Sequence, residues 1–233
     1  MSYKTELHCH TRESSACAHE TPEYVVERYI EAGYSTLVLT NHINGSTFIS
    51  DRYKNYLAEN GIEDSWDHRI DYYIRDYNRM RAAANGRINV LLGLELRLIK
   101  DSLNDYLIYG VTEEWLRSSE LMTYVRFKEM SQYIRESGLI IYQAHPFRNG
   151  LTIANPQNLD GYEIYNGHPD HDSRNSIAEA WAKLHNLPGI SGTDFHDAKQ
   201  TICAGIITDE LITSNEQLLQ VLAEKNYQLI RYI

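Results

Sequence analysis

Apolar runs of strand length alternate along most of this chain with segments of helical period, the pattern of β/α units that feed a parallel sheet or barrel. A strand-like run ends at Glu6-Leu7-His8-Cys9-His10, and Pro22 then takes the favoured first-turn position of a helix. That helix carries Val25, Val26, Tyr29 and Ile30 on one face and stops at Gly33. Thr36 to Thr40 reads as a buried strand ending at Asn41-His42, residues 66–84 as a helix stopping near Asn85-Gly86, and Asn89 to Glu95 as the next strand. A short strand at Leu107 to Tyr109 precedes helical spacing over residues 124–137 and strands at 139–142 and 162–165. A helix over about 174–185, strands at 189–191 and 204–208, a helix over about 214–224 and a strand at 227–230 complete the alternation. No repeat, low-complexity tract or linker interrupts it, so one α/β domain spanning residues 1–233 is expected.

The residues with metal-ligand chemistry fall at or just after the apolar runs: His8 and His10, His42, Glu95, His145, then Asp194 and His196. Strand alternation points His8 and His10 the same way, and it does the same for Asp194 and His196. Any one of these histidines alone reads as a hydrogen-bonded core or surface residue. Their recurrence is what matters, because a closed parallel β/α architecture gathers its C-terminal strand ends on one face.

Imidazole and carboxylate suit zinc, manganese or iron(II), and seven donors exceed the three or four that one zinc ion takes. Two or three divalent ions are therefore expected. Glu95 and Asp194 are the residues able to bridge them, since a carboxylate has two oxygens where each histidine donates one nitrogen. Such a cluster supports in-line displacement at phosphorus by a metal-bound hydroxide, here held by Glu95 and Asp194, with His196 as candidate acid. Arg148, in His145-Pro-Phe-Arg, can fork onto phosphate oxygens. Cys17 is a further candidate ligand, although free cysteine is among the most buried residue types. His168 is a candidate substrate contact beside His171, whose loop otherwise faces solvent, and His19, His68 and His185 read as structural or surface residues.

Bulk properties narrow the partner. A formal charge of −10 and a pI near 5.4 leave no basic footprint for extended nucleic acid, so a small phosphorylated molecule is expected. Three cysteines without a CxxC fit a reduced compartment, and neither a signal-type start nor a membrane-length apolar run occurs, which makes the cytoplasm the expected location. The 18 tyrosines are scattered and read as half-buried amphipathic residues rather than a stacking surface.

Taken in order, Glu6-Leu-His-Cys-His10, Leu39-Thr-Asn-His42, Gly93-Leu-Glu95, Ala144-His-Pro-Phe-Arg148, Glu163-Ile-Tyr-Asn166 and Gly192-Thr-Asp-Phe-His196 resemble the motifs of the polymerase and histidinol phosphatase (PHP) family. The resemblance covers residues 6 to 196 and implies a distorted (β/α)7 TIM-like barrel, a two- or three-metal centre of zinc, manganese or iron, and phosphoesterase activity. By position it implies His8, His10, His42, Glu95, His145, Asp194 and His196 as ligands and Arg148 as the phosphate contact, with Asn166 a candidate substrate contact. The family's usual Thr-Asp-His is here Thr40-Asn41-His42, and its histidine before a strand like Leu107 to Gly110 is absent. Asp105 is the candidate to stand in for that histidine. The expected activity is hydrolysis of a small phosphate monoester, as by a histidinol phosphatase. Phosphotyrosine-protein phosphatase, oligonucleotide or nucleotide phosphoesterase, amidohydrolase-type C–N or C–O hydrolase and non-catalytic metal-binding domain are the alternatives.

Overall fold

Leu7, His8 and Cys9 are wholly buried at the end of β1 (Tyr3–Cys9), which fixes this strand as an interior member of its sheet. It pairs in parallel with β2 (Thr36–Leu39), which pairs in parallel with β4 (Asn89–Leu92). On its other side β1 meets β10 (Ala204–Thr208), and β10 meets β11 (Gln228–Arg231), both antiparallel. The structure, a computed structural model, describes residues 2–98, 103–120 and 124–231.

A second sheet runs in the order β3 (His42–Ile43), β5 (Leu94–Arg97), β6 (Asp105–Tyr109), β7 (Ile140–Gln143), β8 (Gly161–Asn166), β9 (Gly189–Gly192). The two sheets adjoin at two places. Gly93 alone separates β4 from β5, and a Cβ there would stand 2.8 Å from Val38 Cγ1, so the chain turns where only glycine fits. At the other seam Cys9 and Phe195 form a parallel bridge, and His10 N–H donates to Phe195 O at 3.0 Å.

The helices form where the apolar spacing places them. α1 (Pro22–Glu31) is capped by Thr21, whose hydroxyl accepts from Tyr24 N–H, and α3 (Trp66–Ala84) is capped by Ser65 and closed by Asn85 in the left-handed conformation. These two pack on each other, and α3 lies on β4. α5 (Phe127–Glu136), α6 (Asn175–Leu184) and α7 (Asn215–Glu224) follow the expected order, with α6 on β8. α2 (Asp51–Asn60) and α4 (Glu113–Ser118) add to the sequence expectation.

One departure positions the site. The expected run of parallel strands is broken, because β5, β6 and β7 pair antiparallel. Only residues 98–104 connect β5 to β6, too few for the dozen or so a parallel crossover requires. β6 therefore presents its N-terminal end where its neighbours present their C-terminal ends.

Candidate metal centre

β1 supplies His8 and, one residue past its end, His10. His42 opens β3 and lies in register with Glu95 of β5. His145 follows β7, and Asp194 and His196 follow β9. Glu95 is the hub. Its Oε2 lies 3.3 Å from His8 Nε2, 3.2 Å from His10 Nε2 and 3.0 Å from His42 Nδ1, while its Oε1 lies 3.2 Å from His145 Nε2. Asp194 Oδ1 sits opposite, 3.3 Å from His8 Nε2, 3.4 Å from His10 Nε2 and 3.3 Å from His196 Nδ1. The structure thus brings all seven strand-end donors together.

The geometry of the last pair differs from the expectation. β9 ends at Gly192, and Asp194 adopts φ +53, so Asp194 and His196 reach the cluster through a left-handed turn and not through strand alternation. His145 is likewise at φ +29. Non-glycine residues hold such conformations only where their surroundings over-determine them, and here Asp194 N–H donates to His8 O at 2.8 Å and His145 N–H to Glu163 Oε2 at 2.8 Å.

Buried polar atoms without a hydrogen bond concentrate in this cluster: His8 Nε2, His10 Nε2, His42 Nδ1, His145 Nδ1 and Glu95 Oε2. Each such atom costs about 1–3 kcal/mol when nothing satisfies it. Nitrogen and carboxylate donors converging with free lone pairs fit divalent cations, and four overlapping triads keep their donor atoms within 4.8 Å of one another: His8-His10-Glu95, His8-His145-Asp194, His10-His42-His196 and His42-Glu95-Asp105.

Partners behind the donors fix which nitrogen faces inward. His8 donates Nδ1–H to Glu163 Oε1 at 2.8 Å, which turns its Nε2 lone pair to the centre. Glu163 Oε2 also accepts from Asn166 Nδ2 at 3.0 Å, and that amide reaches Asp194 Oδ2 at 3.1 Å. Ser15 Oγ donates to Asn41 Oδ1 at 3.0 Å and accepts from His42 N–H at 3.0 Å and His10 Nδ1 at 3.2 Å. Asn41, where the resembled motif has aspartate, donates to Asp76 Oδ2 at 3.1 Å, so a carboxylate from α3 stands one residue farther back. Glu6 Oε1 accepts from the N–H groups of Leu7, His8 and Thr193. Burial pushes the Glu6 carboxyl up to about 7 despite these donors.

Glu6, Asp76 and Glu163 have no assigned role in the sequence reading. Their signal is a carboxylate at a core position, where an ionised group is almost never left without partners.

Electrostatics sharpens the contrast between donors. Burial alone would raise the Glu95 and Asp194 carboxyls; the facing histidines outweigh it and hold both well below the ordinary carboxylate range. Burial, together with His196 and His42, lowers His10, and burial lowers His196. Burial opposes charge on His8 as well, but Asp194, Glu163 and Glu95 raise it above the usual histidine value.

A cavity of about 670 Å³ opens over the cluster. Arg148 lines it, and its guanidinium has no hydrogen bond or ion pair to another described residue. Asp105 reaches the centre from the first position of β6, with Oδ2 3.9 Å from His145 Nε2, and Arg97 clamps it through two bonds of 2.8 and 2.6 Å. Cys17 lies on the cavity wall with Sγ 3.1 Å from His196 Nε2. Burial would raise its thiol, but its hydrogen bond to His42 and the nearby histidine charge bring it below the ordinary cysteine value. Asn166 is buried against Glu163 and Asp194 rather than exposed to the cavity. His168 and His171, stacked at 4.6 Å between ring centroids, both line the cavity; His168 is partly buried there, while His171 is also exposed to solvent as expected, and His19 stands at the rim.

The fold is shared with solved structures of low sequence identity. A two-domain protein of Bacteroides vulgatus, containing a predicted PHP-like metal-dependent phosphoesterase, superposes with a TM-score of 0.67 at 17% identity over 100% of this chain. This chain spans 65% of that protein's length. PsfC of Pseudomonas syringae gives 0.63 at 14% identity, covering 99% of this chain and 92% of its own. An amidohydrolase of Chromobacterium violaceum, solved with bound sulfate and no metal, gives 0.51 at 16%, with 98% of each chain covered. No curated protein sequence matches the chain. The PHP domain model matches residues 6–229, which include every candidate donor, and the chain therefore belongs to the PHP domain family of metal-dependent hydrolases.

Proposed function

We propose that this protein is a metal-dependent phosphomonoesterase acting on a small phosphate ester, of the kind a histidinol phosphatase takes. The observation that carries this reading is a cavity that combines the orphaned donor cluster with Arg148, whose guanidinium has no hydrogen bond or ion pair among the described residues. His8, His10, His42, Glu95, His145, Asp194 and His196 would hold two or three ions of zinc, manganese or iron, with Asp105 beside them. Bound there, the ions would acidify water and neutralise charge on phosphate oxygens.

The chain's own groups do the rest. Arg148 presents a planar fork to two phosphate oxygens, orienting phosphorus over the donor cluster. Glu163 and Ser15 hold the His8 and His10 rings by their Nδ1 atoms, so donor geometry is set before substrate arrives. We assign His196 to holding an ion rather than to donating a proton, because its Nδ1–H is given to Asp194 O at 2.8 Å and burial disfavours its charged form. His168, whose ring lies 5.2 Å from that of His196, is placed to touch the alcohol portion of the substrate.

The same reading takes the two sheets as arcs of one distorted (β/α)7 barrel across residues 1–233, joined at Gly93 and at the Cys9–Phe195 bridge. It places the protein in the cytoplasm, away from membranes and extended nucleic acid. A net charge of −10 supports this, as does the lack, among the described residues, of a helix long and apolar enough to cross a membrane. An amidohydrolase-type reaction is the second reading, since the Chromobacterium fold is similar; Arg148 in the cavity beside the donors favours a phosphate substrate.

The test is a hydrolysis panel of aryl phosphate monoesters, diesters, lactones and amides with metal-supplemented protein. Monoester turnover is expected, and Arg148→Ala should lower kcat/KM for monoesters by about 10- to 100-fold, the scale of one or two charged hydrogen bonds. Hydrolysis of lactones or amides alone would overturn the reading, and so would bound metal with no turnover of any substrate.

A further inference from the structure

The segment that follows the first histidine pair turns back over the cavity, and its conformation is fixed from behind. Ser14 N–H and Oγ both bond Asp76 Oδ2 at 3.1 Å, Thr11 N–H donates to Asn41 Oδ1 at 2.8 Å, and His19 N–H donates to His196 O at 2.8 Å. Between those anchors the chain delivers Cys17 to the wall, its Sγ 3.1 Å from His196 Nε2. The ring of His196 lies 4.4 Å from that of His10, and His10 lies 4.5 Å from His42.

Three donor atoms, one each from His10, His42 and His196, lie within 4.8 Å of one another. His10 is completely buried, and its Nε2 points into this group without a hydrogen-bond partner. Such a triad fills three corners of a tetrahedron and leaves the fourth open. The Cys17 sulfur lies beside this group on the cavity wall, within reach of the His196 ring nitrogen.

We propose that the Cys17 thiolate is a metal ligand, completing with His10, His42 and His196 one ion site of the centre. This rests on the metal-centre reading above and adds to it a sulfur donor. Coordination replaces the S–H bond with an S–metal bond and releases the proton to solvent. A thiolate also biases that one position toward zinc or iron(II) and away from magnesium or manganese, which prefer oxygen. The remaining donors, His8, Glu95, His145 and Asp194, offer no sulfur, so the ions of the centre would differ in preference.

Cobalt(II) added alone to metal-stripped protein reads this directly. The expected result is a near-ultraviolet thiolate-to-cobalt charge-transfer band in the wild type, lost in Cys17→Ser and kept in Cys203→Ser, whose sulfur lies against Gly167 outside the donor group. Cys17→Ser should also bind one ion at least ~10-fold more weakly while its far-ultraviolet circular dichroism stays that of the wild type. Cobalt bound without the band, or a band that survives Cys17→Ser, overturns the sulfur ligand and leaves the metal centre standing. A wild type that binds no cobalt overturns both.

Discussion

Glu163 has no place among the candidate ligands, yet its carboxylate governs two of them. One oxygen holds His8 Nδ1–H at 2.8 Å, and the other takes His145 N–H at 2.8 Å, stabilising the left-handed backbone that His145 adopts. A glutamine there keeps the shape but loses the charge, and its amide nitrogen cannot accept from either donor. In Glu163→Gln we expect a folded protein whose metal affinity falls about 10- to 100-fold, as measured by competition with a chromophoric chelator. Wild-type affinity in that variant would show that the His8 ring is oriented by packing alone. Asp76 acts at one remove more, since it reaches the cluster only through Asn41, Thr11 and Ser14.

At the scale of elements, the close approach of β1 to β9 sets where His8 can stand. A Cβ on Gly192 would lie 2.4 Å from His8 Cβ and 2.6 Å from Glu163 Oε1, so β9 can pass only as glycine. Gly192→Ala should destabilise the fold by roughly 1–3 kcal/mol and weaken metal binding with it. Gly45→Ala, where no atom lies within 4 Å of the new Cβ, should stay within about 0.5 kcal/mol in the same urea titration. Equal stabilities for the two variants would show that β9 shifts freely.

Much of this level is legible in sequence, because core strands and capped helices have local causes: α3 and β10 fall at 66–84 and 204–208, the ranges their apolar spacing predicts. The donors share that legibility, since polar residues at the ends of buried strands stand out. Strand direction does not, being set by tertiary pairing. The antiparallel β6 hides the fact that Asp105 is also a residue at the site's end of a strand, and no local signal marks the left-handed turn at Asp194. Glu6 and Glu163 escape for a related reason, because the partners that tie them to the site, Thr193 for Glu6 and His8 and His145 for Glu163, are distant in sequence.

At the scale of the molecule, the centre lies on the seam between the two sheets. His8 comes from β1 in the first sheet, whereas Glu95 comes from β5 in the second, with His42 opening β3 and His145 and Asp194 following β7 and β9. Ions held by this set would tie the sheets together, and their removal would leave buried carboxylates facing histidines whose free lone pairs have no partner. An ion present at 100 times its dissociation constant stabilises the folded state by about 2.7 kcal/mol. For a chain of this length that corresponds to a fall in Tm of roughly 5–10 °C per ion when a chelator strips it. The loss should be reversed by adding back zinc or manganese, and hydrogen exchange should quicken first at the amides of His10 and Asp194, which cross the seam to Phe195 O and His8 O. A Tm that ignores chelation, with elemental analysis confirming that the metal has gone, would mean that the sheets are held by apolar packing alone and that the donors are organised without the ions.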